Sequence, residues 1–250
     1  MADAKADHSL ESAHHVHHED DSEIWEVDWK NPDLAWHVKQ IHPLLIKHER
    51  EITGGRSHLK VLVPLCGISV DLLWFADRGD SVCGIEYDAS GCQAFFEINN
   101  IEFDTQALTE EFQIFKGKTK DITLYQCDFF KFPSLVPSLK GSFDVIWDRA
   151  ALRTTVGEPI GQNAQAYVDV LRELVSTTGC LAQENTRFDV GDCKTEFYPP
   201  VVSDEVMEGL AKEKWNVKKL DQLEYKVGEG LELFYRDYKH DISLHLLTPK

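Results

Sequence analysis

The sequence predicts a doubly wound α/β fold: a mostly parallel sheet, helices on both faces and an antiparallel strand at the C-terminal end. Three patterns carry that expectation. Residues Lys60 to Glu86 begin as a short apolar strand (Val61, Leu62, Val63) and turn at Pro64 to Gly67. They then take helical apolar spacing at Val70, Leu73 and Trp74, stop at Gly79 and re-enter a strand that ends in an acid. Strand and helix patterns continue to alternate downstream, as parallel strands joined by crossover helices do. The C-terminal runs Leu231-Glu232-Leu233-Phe234-Tyr235 and Ile242-Ser243-Leu244-His245-Leu246-Leu247 have the alternation of a strand pair.

A β-α-β unit sets its first loop beside the end of its second strand, at the carboxyl edge of the sheet where open α/β folds bind ligands. In that position Gly67 lets a ligand approach the backbone, and Glu86 can accept hydrogen bonds from both hydroxyls of a ribose. The loop has one glycine and no lysine, so it matches neither a dinucleotide fingerprint nor a P-loop. A nucleoside without a pyrophosphate fits better, and S-adenosylmethionine is the common one. The alternative is a buried β-α-β unit with no ligand.

The 250 residues suit one or two domains, and a hydrophobic content of 42% is that of a globular chain. Lysine and arginine number 26 against 43 acids, a net charge of −17, which argues against a nucleic-acid or anionic-membrane surface and for a small-molecule or protein partner. No apolar run is long enough to span a bilayer, and the first residues lack the apolar core of a secretory signal. Cys66, Cys83, Cys92, Cys127, Cys180 and Cys193 are scattered and form no C-x-x-C pair, so reduced thiols in a cytoplasmic protein are expected, with no structural metal.

Residues 1–23 hold seven acids, one lysine and five of the eleven histidines, and read as a disordered tail. His14, His15, His17 and His18 beside Glu19 and Asp20 either chelate a metal loosely or are simply solvated. Residues 24–250 are expected to form a single domain whose N-terminal segment, 24–50, carries Trp25, Trp29 and Trp36. Aromatic faces attract a sulfonium, so this segment is either a lid over a cofactor or a set of packing anchors. Ser90 is the expected N-cap of a helix through Cys92, Phe95, Phe96 and Ile98. Phe112 to Phe115 and Ile122 to Tyr125 read as a hairpin or two edge strands, and the second run leads to Asp128-Phe129-Phe130, an acid placed to accept from an adenine amino group. Phe143 to Asp148 is the next strand, with Arg149 directly after it; Arg149 either faces the same edge as Glu86 or forms an ion pair with Asp148. Gln165 to Leu174 reads as a helix, Cys180-Leu181-Ala182 as a buried strand, and Ser203 as the N-cap of a helix to Ala211.

In this order the chain resembles the thiopurine S-methyltransferase family, within the class I S-adenosylmethionine-dependent methyltransferases. The matching pieces are Trp25-x3-Trp29-x6-Trp36-His37, Val63-Pro64-Leu65-Cys66-Gly67, Trp74-Phe75-Ala76-Asp77-Arg78-Gly79, Gly84-Ile85-Glu86, Asp128-Phe129-Phe130 and Trp147-Asp148-Arg149-Ala150-Ala151-Leu152. The resemblance implies a Rossmann-like seven-stranded sheet. It also implies that Trp25, Trp29, Leu65, Gly67, Glu86, Asp128 and Phe129 line the cofactor site while Trp36 and Arg149 face the methyl acceptor. The implied reaction is methyl transfer from S-adenosylmethionine to a small-molecule thiol, leaving S-adenosyl-L-homocysteine, by a monomer that binds neither nucleic acid nor membrane. Arg149 is the implied catalytic group, favouring the thiolate by its charge. Ile68 stands where the family commonly has lysine, Glu196-Phe197-Tyr198-Pro199-Pro200 where it often has Gly-Pro-Pro-Phe, and Gln183-Glu184-Asn185-Thr186 lacks its usual Tyr-Asp. These departures fall on the acceptor side, so the rival expectations are an amine, selenium or halide acceptor, or a non-catalytic cofactor-binding scaffold.

Overall fold

A computed structural model describes residues 29–31, 37–155, 162–188, 202–230 and 239–250. The expected tail at 1–23, Trp25, Trp36, the Glu196–Pro200 run and the Leu231–Tyr235 strand all lie outside the described residues.

Short helices α1 (Pro43–Lys47) and α2 (Glu49–Thr53) precede strand β1 (Lys60–Val63), helix α3 (Asp71–Asp77), strand β2 (Ser81–Glu86) and helix α4 (Ala89–Ile98). There follow strands β3 (Phe103–Ala107), β4 (Gln113–Gly117) and β5 (Ile122–Gln126), helix α5 (Phe132–Leu135), strand β6 (Phe143–Arg149) and helix α6 (Ala151–Thr154). The C-terminal part adds α7 (Gln162–Leu174), β7 (Val175–Phe188), α8 (Asp204–Ala211), β8 (Trp215–Tyr225) and β9 (His240–Pro249). Nine strands form one sheet in the order β3-β4-β5-β2-β1-β6-β7-β9-β8. The five central strands, β5 to β7 in that order, pair in parallel, and antiparallel strands extend both ends.

The expectation of a doubly wound α/β fold with an antiparallel C-terminal strand therefore holds, with nine strands rather than seven. The two additions, β3 and β8, are edge strands: β3 is mostly exposed, whereas β8 is mostly half-buried. Solvent on both sides of β3 removes the apolar alternation that marks a strand in sequence. β8 also carries a register shift between Lys219 and Asp221, which breaks the period of two. β9 pairs with β7 and β8.

Alternation along the central strands divides the core. Val61, Val63, Val145 and Trp147 pack on one face with Leu44, Leu45, Ile52, Phe75, Phe95 and Phe96, while Leu62, Ile85 and Ile146 pack on the other with Phe132, Tyr167, Leu171, Met207 and Trp215. The β-α-β unit is drawn tight at Gly84. A β-carbon there would lie 2.5 Å from Leu124 Cδ2 and 2.7 Å from Cys66 Sγ, so hydrogen is the only side chain that admits both neighbours. Helix α4 is capped by Asp88, not Ser90: Asp88 Oδ1 accepts the Ser90 N–H at 2.8 Å, which places Ser90 inside the first turn. Ser203 caps α8 as expected, accepting the Val206 N–H at 3.2 Å.

Asp148, wholly buried at the end of β6, ties three elements together. It accepts the Tyr167 hydroxyl of α7 at 2.6 Å and the Ala151 N–H of α6 at 2.8 Å. Burial pushes its carboxyl up to about 6, against those hydrogen bonds, which favour the ionised form.

Two expectations follow from this packing. Gly84→Ala should cost about 1–3 kcal/mol, the usual penalty for overfilling a packed interior, and a thermal melt would read this as a lower Tm. Asp148 has a folded pKa above its unfolded value, so its contribution is fully present below about pH 4 and is lost as pH rises through about 6. Urea unfolding from pH 4 to 8 should therefore show wild type losing stability relative to Asp148→Asn, by on the order of 3 kcal/mol across that window. A pH-independent difference would mean that the carboxyl is ionised throughout.

Candidate active site

The carboxyl edge of the central strands gathers the residues picked out in the sequence. β1 and β6 are neighbours, yet the chain leaves β1 towards β2 on one side and leaves β6 towards β7 on the other, so the crevice between their ends is the topological switch point. Two non-glycine residues just past these strands have left-handed backbone: Leu65 after β1 (φ 45°) and Ala150 after β6 (φ 62°). Each such residue costs on the order of 1–2 kcal/mol, and strain of this kind concentrates at ligand sites.

On the β1–β2 side the centre is Glu86, a buried carboxylate at the last residue of β2. Oε2 accepts the Gly67 N–H at 2.9 Å and Oε1 accepts the Asp88 N–H at 2.9 Å, which ties the first loop to the entry of α4. Burial raises its pKa and these backbone donors oppose the rise. Among the described residues no ion pair involves Glu86. Gly67 sits at φ 48°, and the group that approaches it is the Trp29 ring: a β-carbon on Gly67 would stand 3.0 Å from Trp29 Cζ3, and one on Gly91 3.0 Å from Trp29 Cε2. Trp29 Nε1 donates to Asp88 Oδ2 at 2.7 Å, so the indole is fixed across the loop and the first turn of α4. Leu65, Tyr87 and Phe130 are exposed apolar groups following β1, β2 and β5. Asp128 is half-buried after β5, where Oδ1 accepts the Phe130 N–H at 2.9 Å; Phe129 is buried against Tyr167, ring centroids 4.8 Å apart.

The β6–β7 side is built from charged side chains. Arg149 closes β6 with Nη1 3.8 Å from Asp71 Oδ2 and Nε 3.9 Å from Glu184 Oε2. This corrects the alternative that paired Arg149 with Asp148, whose two oxygens serve Tyr167 and Ala151. Asp71, at the start of α3 and wholly buried, also accepts the His42 N–H at 3.0 Å and the Trp147 indole N–H at 2.9 Å. Glu184 Oε1 accepts the Thr186 hydroxyl at 3.0 Å. His37 stands close enough to Arg149 that its pKa is lowered, first by burial and then by that charge.

Asp71, His42 and Glu184 are therefore part of this edge; the sequence reading named Glu184 only within the altered run Gln183 to Thr186 and singled out neither Asp71 nor His42. An acid at the head of an apolar helix and an acid inside a buried strand were the available signals, since a carboxylate is rarely buried without partners. Cys66, beside Gly67, is no nucleophile: it is buried, and burial followed by the Glu86 charge drives its thiol well above the ordinary range. Among the described residues no group of three or more His, Cys, Asp or Glu side chains is placed to hold a metal ion, and no helix is long and apolar enough to cross a membrane.

Comparison with known proteins bears on the fold and on the family. The fold resembles a protein solved in work on the conversion of a disulfide bond into a thioacetal group during echinomycin biosynthesis. The TM-score is 0.57 at 14% identity, covering 86% of this chain and 84% of that one. It also resembles an arsenic(III) S-adenosylmethionine methyltransferase from Chlamydomonas reinhardtii, with a TM-score of 0.54 at 14% identity over 78% of this chain and 64% of that one. In sequence, the chain is 39% identical over 132 residues to thiopurine S-methyltransferase of Oryctolagus cuniculus (52% of this chain, 53% of that one). It is 38% identical over 154 residues to the enzyme of Equus caballus (61% of this chain, 60% of that one). The chain spans about half the length of the first of these relatives. The family described as thiopurine S-methyltransferase matches residues 20–231, and the chain belongs to that family.

Proposed function

We propose that the chain is an S-adenosylmethionine-dependent methyltransferase acting on a small-molecule thiol, with residues 24–250 as one domain and the aromatic segment 24–50 lying across its site. The observation that carries the proposal is Glu86. A buried carboxylate that accepts two backbone N–H groups and has no cation paired to it among the described residues keeps further acceptor capacity. The two hydroxyls of a ribose are donors that suit it. Trp25, Trp29, Leu65, Gly67, Glu86, Asp128 and Phe129 would hold the cofactor. Trp29 is already seated against Gly67 and Gly91 beside Glu86, where an aromatic face suits a sulfonium.

When bound, S-adenosylmethionine supplies a methyl group activated on sulfonium, and the bond to the acceptor sulfur forms as the methyl–sulfonium bond breaks, leaving S-adenosyl-L-homocysteine. The chain's own part is alignment and exclusion of water, and holding a thiol in line is worth roughly 7–11 kcal/mol. Trp36 and Arg149 would face the acceptor, with the Arg149 guanidinium donating to the sulfur; its positive charge favours the ionised thiol. No general base is then needed, because the thiol proton leaves to solvent before transfer. Cys66 takes no part, since burial keeps its thiol protonated.

Incubating the protein with S-adenosylmethionine and a panel of aromatic thiols, aliphatic thiols and amines, followed by mass spectrometry, should yield S-methyl products and S-adenosyl-L-homocysteine. Glu86→Ala should abolish cofactor binding in calorimetry. Arg149→Ala should lower turnover at least about tenfold with cofactor affinity nearly unchanged. Equal loss of both quantities in Arg149→Ala would remove that residue from the acceptor side, and products confined to amines would overturn the thiol reading.

A further inference from the structure

Asp88 stands just past Glu86, where three separate pieces of the β1–β2 side meet. Its backbone N–H donates to Glu86 Oε1 at 2.9 Å, a contact that another residue at this position would keep. Its side chain has two further duties, one for each oxygen. Oδ1 accepts the Ser90 N–H at 2.8 Å and so caps α4, while Oδ2 accepts the Trp29 indole N–H and the Ser90 hydroxyl, each at 2.7 Å. The cap is local, but the indole comes from 59 positions earlier in the chain.

Trp29 depends on that bond because it packs against two residues that have no side chain. A β-carbon on Gly67 would lie 3.0 Å from Trp29 Cζ3 and 3.3 Å from Cη2, and one on Gly91 would lie 3.0 Å from Cε2 and 3.2 Å from Nε1. The ring therefore rests on bare backbone at both ends, the loop after β1 at one and α4 at the other. Such a surface has no walls to set the rotation of the ring, whereas a hydrogen bond to a carboxylate sets it, and bonds to ionised groups are the short, strong kind. Lys30 Nζ also reaches Glu97 Oε2 at 2.6 Å, but that pair is solvent-exposed and contributes little.

The loop beneath the ring is the one that serves Glu86. Leu65 and Gly67 both have left-handed backbone, φ 45° and 48°, and the Gly67 N–H donates to Glu86 Oε2. A ring seated on Gly67 keeps the loop in this conformation, so the orientation of the indole is passed on to the carboxylate.

We propose that Asp88 is a positioning residue of the donor site: through the Trp29 indole it holds the Gly67 loop where Glu86 can receive the cofactor ribose, and it has no part in holding the acceptor. This rests on the methyl-transfer reading above and adds to it a residue that acts through others. The Asp88 oxygens are engaged by the protein itself, and Arg149 and Glu184 stand on the β6–β7 side of the crevice. Its effect therefore falls on donor affinity.

Asp88→Ser separates the two duties of the side chain, since serine is as good an N-cap as aspartate but its single oxygen cannot cap α4 and accept the indole together. Trp29→Phe removes the indole N–H and keeps an aromatic ring. Calorimetry with S-adenosylmethionine should show each substitution weakening binding by about tenfold, with the double variant within about twofold of Trp29→Phe alone. In the free protein, NMR of the isotope-labelled Trp29 indole N–H, identified by its loss in Trp29→Phe, should show exchange with solvent at least about tenfold faster in Asp88→Ser. With thiophenol as acceptor at saturating S-adenosylmethionine, the KM for thiophenol should stay within about twofold of wild type. Unchanged donor affinity in Asp88→Ser overturns the assignment. So does an equal further loss on the Trp29→Phe background, which would place the effect in the cap of α4, and so does a thiophenol KM that rises as much as donor affinity falls. If Asp88→Ser does not fold, Trp29→Phe still decides, because wild-type affinity in that variant overturns the proposal. Wild type that binds no S-adenosylmethionine overturns the methyl-transfer reading and this assignment together, a result distinct from binding that the substitutions leave unmoved.

Discussion

The site depends on one carboxylate accepting two backbone N–H groups. Glu86 joins the loop after β1, through Gly67, to the entry of α4, through Asp88, and so closes the β-α-β unit at the carboxyl edge of the sheet. A buried carboxylate left alone would be costly, and the two N–H donors are what make it tolerable. The same arrangement explains the neighbouring residue types. Gly67 and Gly91 have no β-carbon because the Trp29 ring lies where one would project, and Asp88 both caps α4 and holds the indole N–H. Gly84, one turn of the pleat earlier, leaves room for Cys66 and Leu124 beneath the loop.

The two sides of the crevice are made differently. On the β1–β2 side, backbone groups and missing side chains define the shape, and one charged side chain organises them. On the β6–β7 side, the shape is set by Arg149 between Asp71 and Glu184, with His42 behind. Asp71 links the halves: it begins α3, which follows the first loop, and reaches both Trp147 of β6 and the backbone of His42 just before α1. The N-terminal helices are thereby docked on the β6–β7 side, with His48 extending the attachment to Asp221 of β8 at 2.7 Å.

How much of this was legible in the sequence follows from how each part is built. The β-α-β unit, α4, α7 and α8 were readable because each buries one face and so prints its period in the residues. The glycine loop and the terminal acid were readable because few other residue types can do what Gly67 and Glu86 do there. β3 was not, since an edge strand exposed on both faces leaves no apolar alternation; β8 was not, since its register shift between Lys219 and Asp221 breaks the period of two; and the full length of β7 was hidden by buried polar residues from Gln183 to Thr186. The contacts of Arg149 were out of reach for another reason. Its described partners Asp71 and Glu184 come from α3 and β7, 78 and 35 positions away in the chain, and a local pattern that marks an acid as buried does not say which group it meets.

That difference also bears on where a change of acceptor can be made within one fold. At the Glu86 corner almost any substitution collides: a β-carbon at Gly67, Gly84 or Gly91 meets a side chain at 3.0 Å or less. Glu184, by contrast, is placed by polar contacts with the Thr186 hydroxyl, Arg149 and His42. A carboxylate, an amide or a hydroxyl at that point would each preserve the strand pairing with β6 and β9, which runs through the backbone. The β1–β2 side is held by sterics that permit few alternatives, and the β6–β7 side by electrostatics that permit several. Under the proposed function, methyl-donor binding is fixed by the first, and the choice of acceptor is carried by the second.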